Sequence, residues 1–194
     1  MKDKILIIVD MQNDFVNVGG ALRVPNADKA CDNILNKIKN WDGDGVICTY
    51  DTHFQDHYLD TEEGKRVPIH CVYKTWGWEL HEFIYQALLK YMFAEGDNLF
   101  LTVEKDTFGS IDELPAVIEE ICIENPFEIH ICGVCTDICV ISNALILRSA
   151  FPYAKIVVDA NCCAGTTKEN HLAALEVMKA NCIEVENMEV TNGI

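Results

Sequence analysis

Three separate stretches of this chain each deliver one reactive side chain at the end of an apolar run. Ile131-Cys132-Gly133-Val134-Cys135-Thr136-Asp137-Ile138-Cys139 reads as a buried strand, a tight turn and the first turn of a helix carrying a thiol. A cysteine at a helix N-terminus lies at the positive end of the dipole, which favours thiolate. Unpaired backbone N–H groups there can hold an oxyanion formed beside the sulfur. Asp10 ends an earlier run, and Lys105 follows a third. A carboxylate able to take the thiol proton, with an ammonium that favours the anionic partners, would make Cys139 an activated nucleophile.

A second set lies in a long polar and aromatic excursion from Asp51 to Gly77: Asp51-Thr52-His53, then His57, Glu62, Glu63 and Val67-Pro68-Ile69-His70. An Asp and a His two residues apart after a strand point to the same side and can share a cation. Further His or Glu donors from the loop would complete an N/O set suited to Zn²⁺, Fe²⁺ or Mn²⁺. With no thiolate among them, a site that keeps water positions is expected rather than a closed structural cage. Long connections in compact domains are usually functional or disordered, and Tyr58, Tyr73, Trp76 and Trp78 argue against disorder here.

Positioning these groups requires a sheet. Short continuous apolar runs at Ile5–Val9, Gly45–Tyr50, Asn98–Val103, Glu128–Cys132, Lys155–Val158 and Cys182–Val185 predict strands buried on both faces. Helical spacing separates most of them: Ala27–Trp41 behind an Asn26 cap, Glu79–Phe93, Asp112–Cys122, Asp137–Ser149 and Thr167–Ala180. The alternation predicts an α/β chain, a three-layer αβα arrangement around an open, doubly wound, six-stranded and mostly parallel sheet. Residues 1–194 are expected to form one domain. In such sheets ligands bind beyond the carboxyl ends of the strands, so residues just after the first four strands should meet.

Composition narrows the functional classes. Fifteen Lys and Arg against 31 Asp and Glu give a formal charge of −16, which opposes a nucleic-acid or anionic-membrane surface. No apolar stretch approaches the length of a membrane span, and no secretory leader is evident, so a cytoplasmic location is expected. The ten cysteines then read as reduced thiols, mostly small core residues. His81, His130 and His171 are expected to serve packing or surface roles, as is Cys162-Cys163.

Taken together, Val9-Asp10-Met11-Gln12-Asn13-Asp14-Phe15, Asp51-Thr52-His53, Pro68-Ile69-His70-Cys71, Glu104-Lys105-Asp106-Thr107-Phe108 and Gly133-Val134-Cys135-Thr136-Asp137-Ile138-Cys139-Val140 resemble the isochorismatase-like cysteine hydrolases, and within them the nicotinamidase/pyrazinamidase branch. The pieces occur in family order across nearly the whole chain. The resemblance implies an amidohydrolase that deaminates a small aromatic carboxamide, nicotinamide first. It implies Cys139 as nucleophile, Asp10 as proton acceptor and donor, and Lys105 as the third catalytic member. It also implies a cis peptide at Val134–Cys135, with the Cys135 and Cys139 N–H groups forming the oxyanion hole.

One divalent ion, Zn²⁺ before Fe²⁺ or Mn²⁺, is implied at Asp51, His53 and His70. The fourth ligand that the resemblance implies is either His57 or Glu63, and Tyr58-Leu59-Asp60-Thr61-Glu62-Glu63-Gly64-Lys65 resembles members in which the glutamate serves, so Glu63 is favoured. Many members place an aromatic residue before the P-x-H, where this chain has Val67. Phe15, Trp76, Phe108 and Val134 are therefore expected to shape the substrate pocket. The expected partners are the small amide and further copies of the chain, with neither nucleic acid nor membrane.

Other readings keep the fold and change the substrate: an N-carbamoylsarcosine or ureidoacrylate-type hydrolase, or an isochorismatase, which commonly lacks the cysteine and the metal set. Cys132-Gly133-Val134-Cys135 also matches a thiol-oxidoreductase C-x-x-C, a chemistry that needs neither Asp10, Lys105 nor the D-x-H pair. A non-catalytic homologue would have no use for the three reactive groups.

Overall fold

The computed structural model describes residues 4–94, 96, 98–122 and 127–188. Six strands form one parallel sheet: β1 (Lys4–Val9), β2 (Gly45–Asp51), β3 (Leu99–Lys105), β4 (Glu128–Val134), β5 (Lys155–Ala164) and β6 (Glu184–Glu186). Their order is β3-β2-β1-β4-β5-β6, and all five pairings are parallel. The principal helices, which cover both faces, are α1 (Asn13–Val16), α2 (Ala27–Lys39), α3 (Gln55–Tyr58), α4 (Glu82–Met92), α5 (Glu113–Ile121), α6 (Ile141–Ala150) and α7 (Lys168–Ala180). A π-helical turn, Thr136–Val140, leads into α6. Ile5, Leu6, Ile7 and Ile8 of the central strand are buried, as expected of a strand covered on both faces. Among the described residues, no helix is long and apolar enough to cross a membrane.

The strand order reverses between β1 and β4, and chain direction brings their carboxyl ends to one edge. Register fixes what meets there. Val9 pairs with Thr49 and Gly133, and Asp51 pairs with Lys105. Gly133 has φ +122°, and a Cβ there would lie 2.1 Å from the Val9 carbonyl oxygen. Only glycine lets β4 run this close to the residue before Asp10.

Several elements differ from their sequence-based limits for identifiable reasons. β3 continues two residues further than expected, and the extension carries Lys105 into register with Asp51. β5 runs to Ala164 despite the polar Asp159 and Asn161, because a register shift after Ile131 lets Cys163 and Ala164 pair with Gly133 and Val134. α4 begins at Glu82 rather than Glu79, since Leu80 forms a bridge with Gln12 and the His81 N–H donates to Met11 O. Asn26 does not cap α2. Its backbone is left-handed (φ 60°) and its side chain makes no cap bond. Nine of the ten cysteines are buried free thiols, and only Cys182 is exposed. That distribution fits core filling rather than a disulfide framework.

Candidate active site

The strand ends assemble a buried charge cluster. Lys105 Nζ lies 2.7 Å from Asp10 Oδ2 and 3.1 Å from Asp51 Oδ1. Asp10 is fully buried, and Lys105 and Asp51 nearly so. Thr49, one strand away, donates from Oγ1 to Asp10 Oδ1 at 2.5 Å. The Asp10 N–H reaches Thr49 Oγ1 in return, at 3.2 Å. Asp10 also has φ +50°, a left-handed backbone that costs a non-glycine residue about 1–2 kcal/mol. Such strain persists where surrounding structure holds it, and here it aims the carboxylate at the ammonium.

Burial raises the Asp10 carboxyl above its ordinary range, with Lys105 pulling the other way. Burial would raise Asp51 as well, but Lys105 and the imidazoles of His53 and His70 outweigh it and hold Asp51 well below that range. Burial opposes the Lys105 charge, yet Asp10, Cys139 and Asp51 keep its ammonium well above its usual value. The Cys139 thiol is pushed well up by burial, with Lys105 opposing and Asp10 and Asp51 adding to the rise. The helix-end expectation of a resting thiolate therefore gives way to a protonated thiol beside a carboxylate. Cys139 sits fourth in the π-turn, and the two carboxylates and the dry surroundings weigh more than the dipole.

The excursion places the second set beside the first. His53 Nε2 and His70 Nε2 each lie 3.0 Å from Asp51 Oδ2. Glu63 Oε1 is 3.9 Å from His53 Nε2 and 3.6 Å from His70 Nε2. A backbone bridge between His53 and Val72 clamps the D-x-H segment to the residues after His70. Glu63 joins this group, whereas His57 is exposed on α3 and stands outside it.

Two features test whether these donors suit a divalent ion. Ligands about 2.1 Å from a central ion stand roughly 3.0–3.4 Å apart in octahedral or tetrahedral geometry. Asp51 Oδ2 already stands at that separation, 3.0 Å, from both imidazole nitrogens, and all four donors lie within 4.8 Å of one another. The second feature is a lone-pair conflict. His70 Nδ1 lies 2.9 Å from the Pro68 carbonyl, which can only accept, so Nδ1 carries the hydrogen. In the neutral ring the Nε2 lone pair then faces the Asp51 carboxylate, an arrangement that calls for a proton or a cation between them. The set fits.

Both groups border one cavity of about 300 Å³, lined by Cys139, Cys135, Asp51, Glu63 and His70 with Phe15, Phe108 and Val67. Phe15 is buried edge-on to His70 at 5.3 Å, while Phe108 stands partly exposed. The Val134–Cys135 peptide is cis. Two residues expected in the pocket lie elsewhere. Val134 is fully buried and lines no part of the cavity, and Trp76 borders a different hollow with its ring half exposed. The Asn13 Nδ2 donates to the Trp76 carbonyl at 2.7 Å. Cys132 is buried within β4 with its thiol toward Ile7 O, so it presents no exposed dithiol with Cys135.

Other contributors carried no chemistry in the sequence reading. Gln12 holds Asp51 by both ends of its amide, Nε2 donating to the Asp51 carbonyl and Oε1 accepting its N–H, each at 2.8 Å. Asp14 accepts from the Cys71 N–H at 2.7 Å and the Ala21 N–H at 2.9 Å, joining two loops of the cavity wall. Tyr58 packs against both imidazoles and donates to the Val67 carbonyl. Leu22 and Val24 enter the wall from the loop after α1. A run of polar residues directly after a buried strand was the available signal for Gln12 and Asp14. Nothing local marks Tyr58.

Known proteins resemble this chain in sequence and in fold. The isochorismatase domain family model matches residues 4–190. A nicotinamidase of Escherichia coli K12 is 28% identical over 159 residues, covering 72% of this chain and 74% of its own. The crystal structure of a nicotinamidase from Bacillus subtilis superposes with a TM-score of 0.76 at 28% identity, covering 94% of this chain and 98% of that one. A pyrazinamidase of Pyrococcus horikoshii, solved in complex with zinc, gives 0.72 at 26%, again covering 94% and 98%. The family match, the nicotinamidase relatives and the hydrolase fold together support amidohydrolase activity. The chain belongs to the isochorismatase domain family.

Proposed function

We propose that this protein hydrolyses a small aromatic carboxamide, nicotinamide before other amides, to the carboxylate and ammonia. The observation that carries the reading is the opening of Cys139 and three of the four N/O donors into one apolar-walled cavity, with the Asp10–Lys105 pair buried in the same cluster. Similarity to nicotinamidases adds to it.

Asp10 takes the Cys139 proton as the sulfur attacks the amide carbon. Lys105 keeps Asp10 anionic and in place, at 2.7 Å. The backbone N–H groups of Cys135 and Cys139 receive the developing oxyanion. Asp10 returns its proton to the leaving nitrogen, ammonia departs, and a thioester remains on Cys139. Water then adds to the thioester with Asp10 as base, releasing the acid and restoring the thiol. Asp51, His53, Glu63 and His70 would hold a divalent ion, zinc first in view of the Pyrococcus structure, which when bound supplies a Lewis acid for orienting a ring nitrogen. Phe15 and Phe108 flank the ring, and Val67 takes a wall position where a larger side chain would narrow the cavity.

The test is ammonia release from nicotinamide, pyrazinamide and N-carbamoyl compounds by the metal-loaded protein. Turnover confined to the carbamoyl compounds would replace the substrate assignment. Full activity in Cys139→Ala would remove the mechanism.

A further inference from the structure

A hollow of about 770 Å³ shares no described lining residue with the catalytic cavity. Five aromatic rings contribute to its lining: Tyr50, Trp76 and Trp78, with Phe83 and Tyr85 from the start of α4. Tyr50 and Trp78 pack at 5.0 Å between centroids. Trp76, Phe83 and Tyr85 are 52%, 59% and 46% exposed, an unusual concentration of aromatic surface in so acidic a chain. Two carboxylates, Glu79 and Glu82, stand at the same hollow, and no lysine or arginine is among its described lining residues. Glu79 makes no ion pair among the described residues. His81, the one remaining titratable group with a basic form, is held below its ordinary value by burial and adds no positive charge at neutral pH.

We propose that this hollow is a second ligand site, for a small quaternary ammonium compound. Ring faces carry negative potential and attract a cation within about 6 Å of their centroids. The two carboxylates and the net charge of −16 draw the same sign. A quaternary nitrogen has no N–H hydrogen bonds to water to give up, so it leaves water for ring faces at lower cost than a primary ammonium does. The volume lies within the range of small-molecule sites. Trp78 also links this hollow to the segment that carries Asp51. The Trp78 indole donates to Thr52 Oγ1 at 2.9 Å, and the Trp78 carbonyl accepts from the same Gln12 amide that holds Asp51.

Titration calorimetry on the full chain with choline and with its uncharged isostere, 3,3-dimethylbutan-1-ol, tests this. Choline is expected to bind at least roughly tenfold tighter than the alcohol. Trp76→Ala should weaken choline by about tenfold, and Tyr85→Ala and Glu79→Gln by severalfold each. Both ring positions are solvent-exposed, so either variant serves if the other fails to fold. Cys139→Ala should leave choline affinity unchanged, which separates this hollow from the catalytic cavity. Equal affinity for the two probes, or unchanged choline binding in folded Trp76→Ala and Tyr85→Ala, would overturn the proposal.

Discussion

The Asp10–Lys105–Cys139 cluster and the Asp51–His53–Glu63–His70 set touch the same cavity but are held by different means. Asp10 and Lys105 stand at strand ends, positioned by parallel register that begins deep in the core. Three of the four N/O donors stand on the excursion after β2, where side chains replace the ladder. Gln12 grips Asp51, Asp14 grips Cys71, and Tyr58 wedges against His53 and His70. Asp51 belongs to both, as the last residue of β2, a partner of Lys105 and a neighbour of both imidazoles. Chemistry that demands fixed proton-transfer distances thus rests on the sheet, and the donor set rests on a network of individual hydrogen bonds. Substitutions in the first group should alter turnover without altering stability much, while those supporting the second should alter both.

The largest effect is expected at the first group. Cys139→Ala should lower ammonia release by on the order of 10⁴–10⁶, as nucleophile removal does elsewhere, with the melting temperature little changed. Asp10→Asn should approach the same loss, because it removes the base while Asp51, 3.1 Å away, still partners the Lys105 ammonium. A steep fall in stability with either variant would contradict the division.

At the second group, His53→Ala should abolish stoichiometric metal in elemental analysis of the purified protein. Chelation of the wild-type protein should mimic it, with zinc restoring activity to the chelated protein and not to the variant. Activity retained without metal would detach this set from the reaction.

Asp14→Ala tests the network itself. It touches no proposed reacting group, yet it strands two backbone N–H donors in the wall, and hydrogen bonds to a charged group contribute about 1.5–3 kcal/mol. Gly77 packs directly on this carboxylate, and a Cβ there would lie 2.2 Å from Asp14 Oδ2, so the site tolerates little rearrangement. Chemical denaturation should show a loss of that order, with metal affinity falling as well.

What the sequence made legible follows the same division. Asp10, Asp51 and Lys105 could be read because each ends a continuous apolar run, and a parallel sheet sends all such ends to one edge. The helices could be read from spacing, though not the three residues that Leu80 withholds from α4 by pairing with Gln12. Trp76 lines a different hollow, because proximity along the chain says nothing about which side of a loop a ring takes. Asp14 and Cys71, 57 residues apart, meet only after the excursion folds back, and no local pattern announces such a meeting. Phe15 and Phe108 border the cavity from segments next to Asp10 and Lys105, whereas Leu22 and Val24 come from a glycine-flanked loop with no periodicity to read.

The smallest and most discriminating effect is expected at Tyr58. Its hydroxyl donates to Val67 O at 3.2 Å and lies 3.4 Å from His70 Nδ1, whose own hydrogen goes to Pro68 O. Tyr58→Phe keeps the ring packed on both imidazoles and removes only the hydroxyl. A net cost of about 0.5–1.5 kcal/mol in stability is expected from one neutral hydrogen bond. Losing a hydrogen bond behind a metal ligand typically weakens metal affinity by about 10–100-fold, but here the Pro68 carbonyl still fixes the His70 tautomer. The affinity loss should therefore stay at or below the lower end of that range. A larger loss, measured by competition with a chromogenic chelator, would mean that the hydroxyl rather than Pro68 orients His70. The loop would then depend on that single side chain far more than the sheet-borne cluster depends on any one contact.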